Sequence, residues 1–208
     1  MKNILIIGDS YSTFNGYIPE GYKTYYPALD VESIEDTWWT KFLKETNSNL
    51  VHNNSWSGST ICYTGYAGDC SQTSSFICRY RKLKECGFFK ENEIDTIFVF
   101  GGTNDSWANA PLGNLQFDSW AEKDLFEALP AICYFMWTLK NDLPNAKIVF
   151  LINCDIKSEI SEGIKTAGRY FNVETIEFQN LDKENGHPTR KGMAQISEQV
   201  IEKISLEK

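Results

Sequence analysis

Three features of this 208-residue sequence predict an α/β fold, a three-layer α/β/α sandwich on about five parallel strands. Short apolar runs are continuous rather than alternating, as in strands buried on both faces of a parallel sheet. Segments with helical spacing separate these runs. Glycine and small polar residues follow several of the runs directly, at the strand ends where open sheets of this kind bind ligands.

The first strand is residues 3–7, a run of Asn and apolar residues that stops at Gly8. A helix over residues 37–46 leads to a weaker second strand at 50–53. Residues 94–100, reading IDTIFVF, form the third strand and end in Gly101-Gly102. Residues 125–141 have helical spacing and stop before Pro144, since proline disfavours helical geometry just before it. The fourth strand is 147–152, a helix follows over 157–171, and the fifth strand is 173–178. The last helix, 188–204, aligns Met193, Ile196, Val200, Ile201 and Ile204 on one stripe, and Pro188 suits its first turn. Two long connections remain, an aromatic one at 11–36 and a Gly, Ser and Cys-rich one at 59–92, lengths more typical of lids and binding loops than of spacers.

The chain length fits one domain over residues 1–208. With 42% hydrophobic and 23% charged residues the composition is that of a globular protein. A net charge of -8 with no basic stripe excludes a nucleic-acid partner. There is no apolar run long enough for a transmembrane helix, so no membrane role is expected. Residues 1–8 enter a strand without signal-peptide regions, so the expected compartment is the cytoplasm unless a leader has been removed. The six cysteines lack metal-binding spacing and read as free thiols; disulfides stay open for an exported chain, and no metal or cofactor is expected.

Four polar blocks sit at strand ends or before the last helix. Gly8-Asp9-Ser10 follows the first strand, where a serine alone reads as a helix cap. Gly58 follows the second strand within Asn54-Ser55-Trp56-Ser57-Gly58-Ser59, and Gly102-Thr103-Asn104-Asp105 follows the third; each alone is an ordinary turn. His187-Pro188 precedes the last helix. The other histidine, His52, lies in or beside the second strand and reads as structural.

In this order the four blocks resemble the SGNH/GDSL hydrolase family over residues 3 to about 200. The resemblance implies a flavodoxin-like topology and a serine hydrolase with Ser10 as nucleophile and His187 as its base. A serine hydroxyl requires such a base to remove its proton. Ser10 N–H, Gly58 N–H and the Asn104 amide would form the oxyanion hole that receives the developing charge. The family commonly has Asp three residues before the histidine, where this chain has Glu184. Glu184 is therefore the expected third member, with Asp182 or a backbone carbonyl as alternatives. Asp9 is expected to orient the nucleophile loop, and Asp105 to shape the cleft or cap a helix.

Trp56 and Trp107, with the aromatics of the 11–26 loop, are expected to offer flat faces to substrate. The resemblance implies a small acyl ester, an acetyl ester first, on a carbohydrate or other small molecule; the oligomeric state is left open. The competing reading is a flavodoxin-like binding module without catalysis, or a degenerate hydrolase that only binds glycans. The binding-module reading predicts no contact between Ser10 and His187, and the acid in Gly8-Asp9-Ser10 opposes the anion it would cradle.

Overall fold

The computed structural model describes residues 1–205. In chain order the strands are β1 (Asn3–Gly8), β2 (Asn49–Ser55), β3 (Thr64–Gly65), β4 (Gly68–Asp69), β5 (Thr96–Phe100), β6 (Lys147–Ile152), β7 (Glu174–Glu177), β8 (Lys183–Glu184) and β9 (His187–Pro188). The helices are α1 (Trp38–Thr46), α2 (Phe76–Glu85), α3 (Phe88–Glu91), α4 (Thr103–Trp107), α5 (Ala128–Asp142), α6 (Ser158–Phe171) and α7 (Arg190–Ser205).

Five strands form one parallel sheet in the order β2-β1-β5-β6-β7, while β3-β4 and β8-β9 are separate hairpins. Successive strand residues point to opposite faces, which explains the continuous apolar runs. Ile4, Ile6, Phe98, Phe100, Val149 and Leu151 bury against α1 and α7. Leu5, Ile7, Ile97, Val99, Ile148 and Phe150 bury against α2, α5 and α6. Both faces are therefore covered by helices, as the three-layer expectation requires.

Winding reverses between β1 and β5, since β2 lies on one side of β1 and the later strands on the other. The loops leaving two adjacent strands diverge there and open a crevice. Gly8-Asp9-Ser10 leaves β1 at that crevice, and Gly101 to Asn104 leaves β5.

Two elements depart from the sequence expectation. The 59–92 connection contains α2, capped by Ser75, whose hydroxyl accepts from Cys78 N at 3.1 Å. Its Gly, Ser and Cys-rich approach hides this helix, although Phe76, Ile77, Tyr80 and Leu83 are the buried stripe. Pro188 belongs to β9 rather than to the last helix. Thr189 caps α7 instead, its hydroxyl accepting from Gly192 N at 3.2 Å. Among the described residues, no helix is long and apolar enough to cross a membrane.

Candidate active site

The nucleophile candidate rides on a short 3-10 turn, Ser10–Ser12, at the end of β1. Asp9 N extends the ladder to Phe100 O at 3.2 Å, and the Asp9 carboxyl caps the turn by accepting from Tyr11 N at 3.1 Å. Trp38 Nε1 donates to Ser12 Oγ at 3.1 Å, and Asn53 Nδ2 to Ser12 O at 2.8 Å. Ser10 N–H opens the turn, a position such turns leave without an internal acceptor. Asp9 is fully buried, and burial pushes its carboxyl up to about 7; Asp105 adds to the rise, while the Tyr11 N–H and the Arg79 charge oppose it. The expectation that Asp9 orients the loop agrees with this capping geometry.

The loop after β2 is fastened from three sides. Trp56 N donates to Gly8 O at 3.1 Å, and Ser57 N to Lys23 O at 2.8 Å. Gly58 has φ +81, a left-handed backbone that other residues adopt only with strain, and it lines the crevice. Asp105 does not cap α4; its buried carboxylate accepts from Ile61 N at 3.0 Å and Cys62 N at 3.0 Å. Asn104 Nδ2 donates to Ser59 O at 3.0 Å, and Tyr66 Oη donates to Asn104 Oδ1 at 3.1 Å. With its oxygen engaged by Tyr66 and one amide hydrogen by Ser59, the second hydrogen of Asn104 remains for a ligand.

Sequence reasoning missed Arg79, which is fully buried in α2. Its guanidinium donates to Gly8 O and Ser59 Oγ at 3.1 Å each, to Ser74 O at 2.9 Å, to Asn54 Oδ1 at 2.7 Å, and to Asn54 O. These acceptors belong to the end of β1, the end of β2 and the loop after it. Burial pulls the guanidinium down to about 10. An arginine inside an apolar helical stripe was the available signal, because such a residue is buried only with partners.

His187 stands on the β8–β9 hairpin, whose Asn185-Gly186 turn has φ 49 and 78, the positive pair of a two-residue hairpin turn. Its Nε2 meets Ser10 Oγ at 3.0 Å. Its Nδ1 meets the Asn185 carbonyl at 3.2 Å. A carbonyl only accepts, so Nδ1 carries the proton and the Nε2 lone pair faces the serine. Tyr25 stacks flat on the imidazole at 3.6 Å and 6°. Tyr11 Oη donates to Gly186 O at 2.5 Å, and Tyr26 Oη to Pro188 O at 2.6 Å. Behind them, Asn153 Nδ2 donates to Tyr11 Oη at 3.1 Å, and Lys183 Nζ donates to Asn153 Oδ1 and to Asp155 at 2.7 Å. Burial holds the imidazole below its ordinary pKa; the Lys183 charge adds to this and the Asn185 carbonyl opposes it.

Glu184 is a correction. It is exposed, and the ring nitrogen assigned to it is taken by the Asn185 carbonyl. The Asn-Gly turn brings that carbonyl back to the ring only two residues away. Asp182 is engaged by Thr189 Oγ1 and, at 3.8 Å, by Lys191. Trp56 is a second correction: its ring packs on Tyr22 at 4.3 Å and does not line the cleft, whereas Trp107 does. Tyr11 is likewise fully buried, as is Tyr26, so neither presents a face to a ligand. His52 lies in β2 with its ring 5.3 Å from Phe88, apart from the cleft.

Ser10, Gly58, Asn104, Trp107 and His187 thus line one open cleft, joined by Lys23, Tyr25, Ser57 and Tyr66. The Ser10–His187 contact is what the binding-module reading lacks.

The profile of the family described as GDSL-like Lipase/Acylhydrolase matches residues 2–204. A protein from Bacteroides ovatus described as a GDSL-like lipase is 42% identical, with TM-score 0.91 and 99% of each chain covered. Another so described, from Bacteroides uniformis, is 40% identical, with TM-score 0.91, covering 99% of this chain and 96% of that one. An acetyl xylan esterase from Butyrivibrio proteoclasticus shares the fold at 20% identity and TM-score 0.65, covering 99% of this chain and 64% of that one. No curated protein matches the chain.

Proposed function

The chain belongs to the GDSL-like lipase/acylhydrolase family, whose members are carboxylic ester hydrolases, and from that premise we propose a serine esterase that cleaves small acyl esters, acetyl esters first. The observation that carries the proposal is the 3.0 Å approach of His187 Nε2 to Ser10 Oγ at the topological switch point of the sheet.

In this reading Ser10 Oγ attacks the ester carbonyl while His187 Nε2 takes its proton. Charge on the former carbonyl oxygen is received by Ser10 N–H, Gly58 N–H and the free amide hydrogen of Asn104. His187 then returns the proton to the leaving alcohol. Water, activated by the same imidazole, releases the acyl group from Ser10. The catalytic pair is a dyad: the Asn185 carbonyl fixes the tautomer, and Tyr25 holds the ring plane and offers its π-face to the imidazolium. Tyr25, Tyr66 and Trp107 around an open cleft suit a sugar ring on the alcohol side, so acetylated carbohydrates are the first esters to try.

A fluorophosphonate probe is expected to label the wild-type protein and to leave Ser10→Ala unlabelled. Labelling that persists in Ser10→Ala would overturn the nucleophile assignment.

A further inference from the structure

The chain carries a net charge of -8, yet among the described residues no carboxylate lines the cleft, and Lys23 is its one permanent charge. The backbone under Lys23 is pinned, since its carbonyl accepts from Ser57 N at 2.8 Å and the neighbouring Tyr22 ring packs on Trp56 at 4.3 Å. Its ammonium, by contrast, makes no hydrogen bond or ion pair among the described residues. Lys183, the cation behind the histidine, is already paired with Asp155 at 2.7 Å. Of the buried acids, Asp9 accepts from Tyr11 N through Oδ1 and Asp105 from Ile61 N and Cys62 N, and neither lines the cleft. Exposed Glu184 acts on Tyr25 from outside the cleft.

A cleft concentrates the field of its lining charges, so one uncompensated cation on an acidic protein biases which ligands enter. We propose that Lys23 is a specificity-determining residue that selects esters carrying an anionic group beside the scissile acyl group, such as an acetylated acidic sugar. This inference rests on the serine-esterase reading. An ammonium is a compact point charge and accepts carboxylate or sulfate alike, so the chemistry named is the anion. The group would bind across a solvated cleft mouth, which keeps the preference modest and salt-sensitive.

The test measures kcat/KM for mono-O-acetylated methyl glucuronoside, for the corresponding glucoside 6-sulfate and for the neutral glucoside. Wild type and Lys23→Gln are compared at about 20 mM and about 500 mM salt. The anionic-to-neutral ratio is expected to fall about fivefold in Lys23→Gln at low salt, and to converge on that of the variant at high salt in the wild type. Lys23→Glu is expected to lower the ratio further. A fall for the glucuronoside alone assigns a carboxylate, and a fall for the sulfate alone assigns a sulfate. A ratio equal in wild type and Lys23→Gln for both anions would overturn the inference. Phenyl acetate hydrolysis separates the two readings: if it survives Ser10→Ala, the esterase reading itself fails.

Discussion

His187 shows how one imidazole is held ready without a carboxylate. The Asn185 carbonyl sets the tautomer, and the flat Tyr25 contact at 3.6 Å fixes the ring plane. Glu184→Gln is therefore expected to keep turnover of phenyl acetate within about twofold, against a loss of several orders of magnitude in His187→Ala. In the proposed mechanism His187 acts as base in its neutral form, and burial lowers its pKa, so the acid limb of kcat/KM is expected to lie below the ordinary imidazole value of about 6.5. A limb at or above that value in wild type, or activity lost in Glu184→Gln, would restore a role for the carboxylate. Tyr66 acts at the same scale by holding Asn104 Oδ1 at 3.1 Å, which fixes the amide plane while Ser59 O takes one amide hydrogen and leaves the other for a ligand. Tyr66→Phe removes one hydrogen bond worth about 1 kcal/mol, so kcat is expected to drop about fivefold with KM little changed. Combined with Asn104→Ala it should cost nothing more, which a double-mutant cycle reads directly.

Between elements, the site depends on two fasteners. Arg79 brings α2 to the ends of β1 and β2 and to the loop that carries Gly58. Its five donors fit that fork of acceptors, and an apolar replacement leaves buried carbonyls without partners. Arg79→Met is expected to lower stability by about 3 kcal/mol or more, a fall in Tm of roughly 6–12 °C, measured by thermal unfolding. A change within about 2 °C would show that the contacts are replaceable. The second fastener is the tyrosine pair, Tyr11 and Tyr26, which grips the β8–β9 hairpin at Gly186 O and Pro188 O. The 11–26 segment thus serves to place His187 opposite Ser10 as well as to border the cleft.

Across the whole molecule, buried charge makes stability depend on pH. Asp9 is raised to about 7 chiefly by burial, so the folded state binds its proton more tightly than the unfolded chain does. Its contribution is complete below the unfolded carboxylate value of about 3.9 and is lost as pH rises through about 7. Asp9→Asn keeps an acceptor for Tyr11 N without the charge. Between pH 6 and 8 the wild-type Tm is expected to fall relative to Asp9→Asn by about 3 °C or more. Parallel curves for the two proteins would place the Asp9 pKa outside that window.

Local patterns settled much of this molecule in advance. Continuous apolar runs placed β1, β5 and β6, because burial on both faces removes alternation. The position of Ser10, Gly58, Asn104 and His187 at strand ends or before the last helix marked the cleft they share. Chain order alone did not determine which group faces Nδ1 of His187, because spacing along the sequence put Glu184 there while the geometry of the Asn185-Gly186 turn put a carbonyl. Nor did it reveal Arg79, Tyr66 or the tyrosine grips, whose partners, Ser74 apart, lie 20 to 175 positions away. Residues reveal themselves in a sequence when their role follows from their own backbone and neighbours. Residues whose role is a contact between distant loops become legible only when the sheet brings those loops together.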